Sequence, residues 1–215
     1  MNPAPDDLPP PEPRWPALLT LVAVGGIDAA LPPALSLGPD WLSLVVMLAL
    51  AAVMLVLHRR DRHRTAQKFG YFISAVTTAF LVFSVGLLIH ALLKGSLKPI
   101  EMLRSAALLW GVNVLVFALW YWRLDRGGPH VRRQARPEPA SFLFPQMTMR
   151  PDSAAARDWY PEFFDYLFLS FNTSTAISPT DTAILSRVAK LLVMMQALIS
   201  LTIVVILAAR AVNIL

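Results

Sequence analysis

Long apolar blocks dominate this chain and restrict what it can fold into. The clearest are residues 41–57, 69–93, 102–122 and 185–214, close to the length of about twenty residues that a helix needs to cross a hydrocarbon core of roughly 30 Å. Transmembrane β-strands would instead alternate apolar and polar residues over about ten positions. Only 15% of the residues are charged, against about 25% in soluble domains. The sequence therefore predicts an all-α membrane protein.

A weaker apolar block, 15–36, precedes these four. Gly25, Gly26 and Asp28 interrupt it. Counting it as a span gives about five transmembrane helices, of which four form a bundle over residues 15–122. Asp28 is an ionisable residue inside a span, which is a functional hypothesis by default, although a wet helix interface would also explain it.

Basic residues cluster in two segments. Residues 59–68 hold five Lys or Arg against one Asp, and 123–136 hold five Arg against one Asp. Since positively charged loops stay in the cytoplasm, both segments and the N-terminus of this multi-pass membrane protein are predicted to be cytoplasmic. The net charge of +5 is thus interpreted as a topology signal, and no nucleic-acid partner is predicted.

The remaining segments predict little chemistry. Residues 1–14 contain six prolines and are predicted to be a disordered tail, and residues 123–159 an Arg- and Pro-rich cytoplasmic loop. The chain has no cysteine and four histidines without metal-ligand spacing, so no catalytic residue, metal site or cofactor is predicted.

The last part of the chain, 160–215, combines a short aromatic helix, hydroxyl-rich residues and a long apolar helix. A helix over about 160–172 is too short to span a bilayer, and the oxygens that follow it can replace the water shell of an ion. We therefore expect a re-entrant pore-type helix and a filter-like loop before the last span. The candidate filter residues are Thr173, Ser174, Thr175, Ala176, Ile177, Ser178, Pro179, Thr180 and Asp181. Alternatively, the short helix is interfacial and residues 178–181 only cap the last span.

The stretch 175–181, TAISPTD, resembles the TTVGYGD-type filter of potassium channels, and 166–171, YLFLSF, resembles their pore helix. Ser178 and Thr180 replace the filter glycines, which permit unusual backbone angles, and Pro179 fixes its own φ. Hydroxyl groups rather than a ladder of carbonyls are therefore the expected ligands. The resemblance implies a homo-oligomer, with a tetramer favoured, that conducts inorganic ions without a cofactor.

Two polar residues of the last span, Gln196 and Ser200, lie on one stripe of the helix, and the apolar Ile203 and Leu207 continue that stripe. In a symmetric tetramer this stripe would line the inner pore, with a ring of amides above apolar constrictions that can gate by dewetting. Alternatively, Gln196 only bonds a neighbouring helix, which is worth about 0.6 kcal/mol on average.

Four strings carry a second resemblance: WYWRLDRGGP at 120–129, FLFPQ at 142–146, SPTDT at 178–182 and ARAVNIL at 209–215. They resemble a family of uncharacterised bacterial multi-span membrane proteins over nearly the whole chain, which implies no particular chemistry.

These patterns predict an ion channel-like pore. A ring of Asp181 carboxylates would make it weakly selective for cations. With five spans, its loop would enter from the cytoplasmic face, opposite to ordinary potassium channels. The alternative, from another class, is a non-conducting membrane scaffold or accessory subunit whose arginines bind membrane lipids or a partner protein.

Overall fold

The chain is largely helical in its computed structural model, which describes residues 12–13, 15–36, 38–60, 62–132, 138–150, 153, 159–175 and 181–212. The helices are α1 (Trp15–Ala29), α2 (Asp40–Arg59), α3 (His63–Lys94), α4 (Pro99–Leu124), the one-turn α5 (Gly128–Val131), α6 (Phe163–Thr175) and α7 (Arg187–Val212). Two short strands, β1 (Phe142–Leu143) and β2 (Ala183–Ile184), pair in antiparallel register.

Three helices in the described part of the chain are long and apolar enough to cross a membrane. They are Arg64–Lys94, Pro99–Val131 and Arg187–Arg210. Two shorter apolar helices, Trp15–Ala29 and Trp41–Leu57, lie beside them. The prediction of a largely helical chain with helices that could cross a membrane is therefore confirmed, and the count of five spans stays a prediction.

The helix α4 forms the centre of the bundle, because α1, α3, α6 and α7 all pack against it. Its residues Leu109, Val116, Phe117 and Leu119 are fully or almost fully buried, as expected for a helix that is apolar on all sides. The outer helix α7 instead exposes one apolar face, which carries Val188, Leu191, Met194, Leu198, Leu201 and Val205.

The described residues of both arginine-rich segments lie at one end of the bundle, which we call the basic end. Gln67, near the start of α3, donates a hydrogen bond of 2.9 Å to the backbone carbonyl of Arg123 at the end of α4. At the opposite end, Arg210 of α7 donates to the sulfur of Met102 in the first turn of α4, at 3.1 Å. Consequently α3, α4 and α7 run alternately between the two ends.

The N-terminal segment reaches the basic end of the bundle. Residues 1–11 and 14 of the predicted disordered tail lie outside the described residues. Glu12, which the prediction also assigned to that tail, is 5% exposed and pairs with Arg132 at 3.0 Å. Glu12 is therefore packed and not part of a disordered tail, because Arg132 supplies the cationic partner that a buried carboxylate needs.

The predicted loop 123–159 contains packed structure in part of its described residues. It includes α5, β1 and a short 3-10 turn at Pro145–Thr148, and the ring of Phe144 packs edge-on against Tyr166 at 5.4 Å. The apolar segment 141–147 therefore docks onto the bundle. The remainder of the loop, at 133–137, 151–152 and 154–158, lies outside the described residues.

Candidate functional site

The helix α6 runs from the basic end of the bundle to its middle. In its first turn, Phe163 packs edge-to-face against Trp122, at the end of α4, with 5.9 Å between ring centroids. In its last turn, the Ser174 hydroxyl accepts a hydrogen bond from Gln196, well inside α7, at 2.7 Å. It also accepts one from Asn113, at the midpoint of α4, at 3.4 Å. The hydroxyl-rich end of α6 is therefore enclosed by the other helices.

After α6 the chain is again found at the basic end. Ile184 of β2 lies opposite Phe142 of β1, and the backbone N–H of Phe142 donates to the Asp125 carboxylate at 3.2 Å. Asp125 follows the last residue of α4. The described chain therefore stops in the middle of the bundle at Thr175 and resumes at the end where α6 began, and residues 176–180 lie outside the described residues.

Six polar side chains meet where α6 ends, and we call them the mid-bundle cluster: Asn113, Tyr121, Ser170, Ser174, Gln196 and Ser200. Gln196 is its centre and is fully buried. Its Nε2 donates to the Oγ atoms of Ser170 and Ser174, each at 2.7 Å. Its Oε1 accepts from the Tyr121 hydroxyl at 2.5 Å. One side chain of α7 therefore bonds both α4 and α6.

Two further residues complete the mid-bundle cluster. The Ser200 hydroxyl donates to the backbone carbonyl of Ser174 at 2.5 Å, and Asn113 Nδ2 donates to the backbone carbonyl of Gln196 at 3.4 Å. The other amide atom, Asn113 Oδ1, is buried without a hydrogen-bond partner among the described residues. It can accept a hydrogen bond or contact a cation there.

The predicted inner-pore residues lie on the inward face of α7. Gln196, Ser200 and Ile203 are 0–2% exposed and Leu207 is half-buried, and α7 packs against α4 and α6 of the same chain. The face that a neighbouring protomer would meet is the exposed apolar one. The inner-pore role stays a prediction.

The predicted filter residues divide into three groups. Thr173, Ser174 and Thr175 belong to the last turn of α6, where the two threonine hydroxyls donate to Leu169 and Asn172 carbonyls at 2.9 and 3.0 Å. Asp181 is exposed. Five lie outside the described residues: Ala176, Ile177, Ser178, Pro179 and Thr180. Their role as ion ligands stays a prediction.

A buried charged cluster, which the sequence interpretation missed, holds the start of α6. The Tyr166 hydroxyl donates to Asp125 Oδ2 at 2.7 Å and accepts from Arg132 Nη1 at 2.6 Å. Arg132 also donates to Glu12 at 3.0 Å and to the backbone carbonyl of Trp122 at 2.6 Å. We call Glu12, Asp125, Arg132 and Tyr166 the Asp125 cluster.

The Asp125 cluster holds the chain in place on both sides of α6. Asp125 Oδ1 accepts from the backbone N–H groups of Ser141 and Phe142 at 2.7 and 3.2 Å, which fixes β1 and, through it, β2. Its other oxygen holds Tyr166 of α6. A single carboxylate thus anchors the chain before and after the enclosed segment.

No group of three or more His, Asp or Glu side chains that could hold a metal ion occurs among the described residues. Comparison of the chain with protein-family models, with curated proteins and with solved structures gives no match.

Proposed function

We propose that this chain is a channel-like pore protein of the bacterial inner membrane, with five spans and a cytoplasmic N-terminus, that conducts inorganic cations with weak selectivity. The observation that carries the proposal is the path of α6. It begins at the basic end of the bundle and ends where Ser174 bonds Gln196 of α7, and β2 lies again at the basic end. This path supports a re-entrant hairpin.

The length of α6 supports this function. Its 13 residues span about 20 Å, less than the roughly 30 Å of a hydrocarbon core. Irregular backbone at membrane depth is tolerated only where protein buries it or where it lines a watery cavity. Residues 173–181 would then form the hydroxyl-lined filter.

The electrostatics of the helix end favour cations. The C-terminus of a helix carries a partial negative charge, and broken helices in transporters coordinate cations with such ends. Around Ser174 the mid-bundle cluster supplies neutral oxygens, among them the unpartnered Oδ1 of Asn113. In the proposal, Gln196 and Ser200 hold the end of α6 in place. Protomers assemble into a homo-oligomer, with a tetramer favoured, through the exposed face of α7, and this brings several hairpins together.

Flux in liposomes tests this function. Asp181→Asn removes the charge at the mouth and should weaken the preference for cations over anions, and the effect should shrink at high salt because exposed charges are screened within about 10 Å at 0.1 M. Thr175→Val should reduce flux. Thr202→Val is the matched control, because the Thr202 hydroxyl also only donates within its own helix, to Leu198 at 2.9 Å.

A second function is favoured by the hydrogen bonding of Gln196. Its amide is satisfied within a single protomer, as expected for a polar contact that only stabilises helix packing. The chain would then be a non-conducting scaffold or accessory subunit. This function would replace the channel if two results are found together. The liposomes would pass no ions at any applied potential, and Asp181→Asn and Thr175→Val would affect only the melting temperature.

A further inference from the structure

Arg123, in the last turn of α4, is a buried cation without a carboxylate partner in the described part of the chain. Its side chain is 2% exposed. Its Nη1 donates to the Gly70 carbonyl at 2.7 Å and to the Ser74 hydroxyl at 2.6 Å. Both of these acceptors are neutral, so they satisfy hydrogen bonds and leave the charge unbalanced. A buried charge is costly unless an opposite charge pairs with it, and this site therefore favours an anion.

A cavity of about 410 Å³ lies beside Arg123, between the basic ends of α1, α2, α3 and α4. Its volume falls within the range of about 300–1,000 Å³ that is typical of small-molecule sites. Its walls are mainly apolar and include Trp15, Leu18, Met54 and Leu55. Trp15 and Leu55 are also exposed at the protein surface, so the cavity is accessible from outside.

The charges around the cavity are mostly positive. Exposed basic residues at the end of α2, in the α2–α3 connection and at the start of α3 surround this end of the bundle: Arg59, Arg60, Arg62, Arg64 and Lys68. The carboxylate that lines the cavity, Glu12, is already paired with Arg132 at 3.0 Å. Basic pockets between membrane helices on the cytoplasmic side bind anionic lipid head groups.

We propose that this cavity binds one anionic phospholipid. Its phosphate lies next to Arg123, and part of an acyl chain lies against Trp15, Leu18 and Leu55. A phospholipid matches both properties of the cavity, since a free anion would leave the apolar wall exposed to water and a lipid without a phosphate would leave the guanidinium unpaired. The surrounding basic residues favour a head group with a net negative charge. This assignment is independent of whether the chain conducts ions.

Melting temperatures of the delipidated protein in a neutral detergent test the proposal. Phosphatidylglycerol should raise the melting temperature saturably by several degrees, and native mass spectrometry should retain one such lipid per protomer. Diacylglycerol with the same acyl chains and inorganic phosphate should have no comparable effect, and phosphatidylcholine should have a smaller one because its choline cation faces the basic residues. An equal rise with diacylglycerol would leave only an apolar slot, an equal rise with phosphate would leave only an anion site, and an equal rise with phosphatidylcholine would remove the preference for an anionic lipid. Each of these results overturns the assignment.

Three variants locate the site. Leu18→Trp fills the cavity without changing charge, and Arg123→Gln removes the charge but keeps a donor, so both should lose the response to phosphatidylglycerol. Arg104→Gln is the control, because it removes an exposed charge near the opposite end of the bundle and should keep the response. If Arg123→Gln does not fold, Leu18→Trp decides alone. Retention of the full response by Leu18→Trp, or its loss in Arg104→Gln, would contradict the proposed site.

Discussion

At the scale of single residues, Gln196 joins three helices through one amide. Gln196→Leu would leave the hydroxyls of Tyr121, Ser170 and Ser174 without this partner inside the bundle. Polar contacts between membrane helices average about 0.6 kcal/mol and reach about 1.7, so the variant should lose about 1–3 kcal/mol in free energy of unfolding. Reversible denaturation in mixed detergent micelles measures this loss.

The control for Gln196 lies on the same helix. Thr202→Val removes only a hydrogen bond within α7 and should change the free energy of unfolding by a few tenths of a kcal/mol at most. If Gln196→Leu is as stable as Thr202→Val but abolishes flux, Gln196 belongs to the conduction pathway and its structural role is minor.

Gly70 allows the Arg123 side chain to cross α3 at close range. A methyl group at Gly70 would lie 2.8 Å from Arg123 Nε and 3.2 Å from Met54 Cε, whereas at Gly86 of the same helix it would meet nothing within 4 Å. Gly70→Ala should therefore lower stability by about 1–3 kcal/mol through overpacking. Gly86→Ala should be neutral or stabilising, since alanine gains up to about 1 kcal/mol over glycine in a helix. Melting temperatures that fall equally in both variants would contradict this account.

At the scale of secondary-structure elements, Asp125 couples α4 to β1 and to α6. Asp125→Asn removes the charge that faces Arg132 at 4.0 Å, and breaking a buried ion pair costs about 3–5 kcal/mol. We expect faster amide hydrogen exchange at 141–143 and 163–166, with little change in α3. Asp181→Asn is the control, because that carboxylate is exposed. Equal exchange in the two variants would show that Asp125 does not hold these elements.

The elements also show how far the sequence could predict the fold. Hydropathy predicted the bounds of α2, α3, α4 and α7 within a few residues, except at the start of α3. The short aromatic stretch predicted α6. These helices are predictable because each is determined locally by the apolar surface that it buries. The Asp125 cluster was missed because Glu12, Asp125 and Tyr166 are distant in sequence. In addition, Asp125 lies between arginines, a pattern that is typical of a solvated loop. Only tertiary packing brings these groups together.

At the scale of the whole molecule, the bundle has one basic end. Cysteines at Thr65 and Glu138 should react with an impermeant reagent only after the cells are opened, and a cysteine at Ser96 should react in intact cells. All three positions are exposed, and the natural chain has no cysteine, so labelling reports the side of the membrane alone. Labelling of positions 65 and 138 from outside would reverse the proposed orientation.

The pairing of Glu12 with Arg132 also has a consequence for biosynthesis. Glu12 leaves the ribosome early, whereas Arg132 and Tyr166 follow only after the four helices α1 to α4 have been made. The Glu12 side chain can therefore meet Arg132 only after α1 to α4 have been synthesised. The Asp125 cluster can form once the start of α6 has been made, before α7 supplies Gln196 and Ser200 to the mid-bundle cluster, so the two buried polar clusters are completed in this order along the chain.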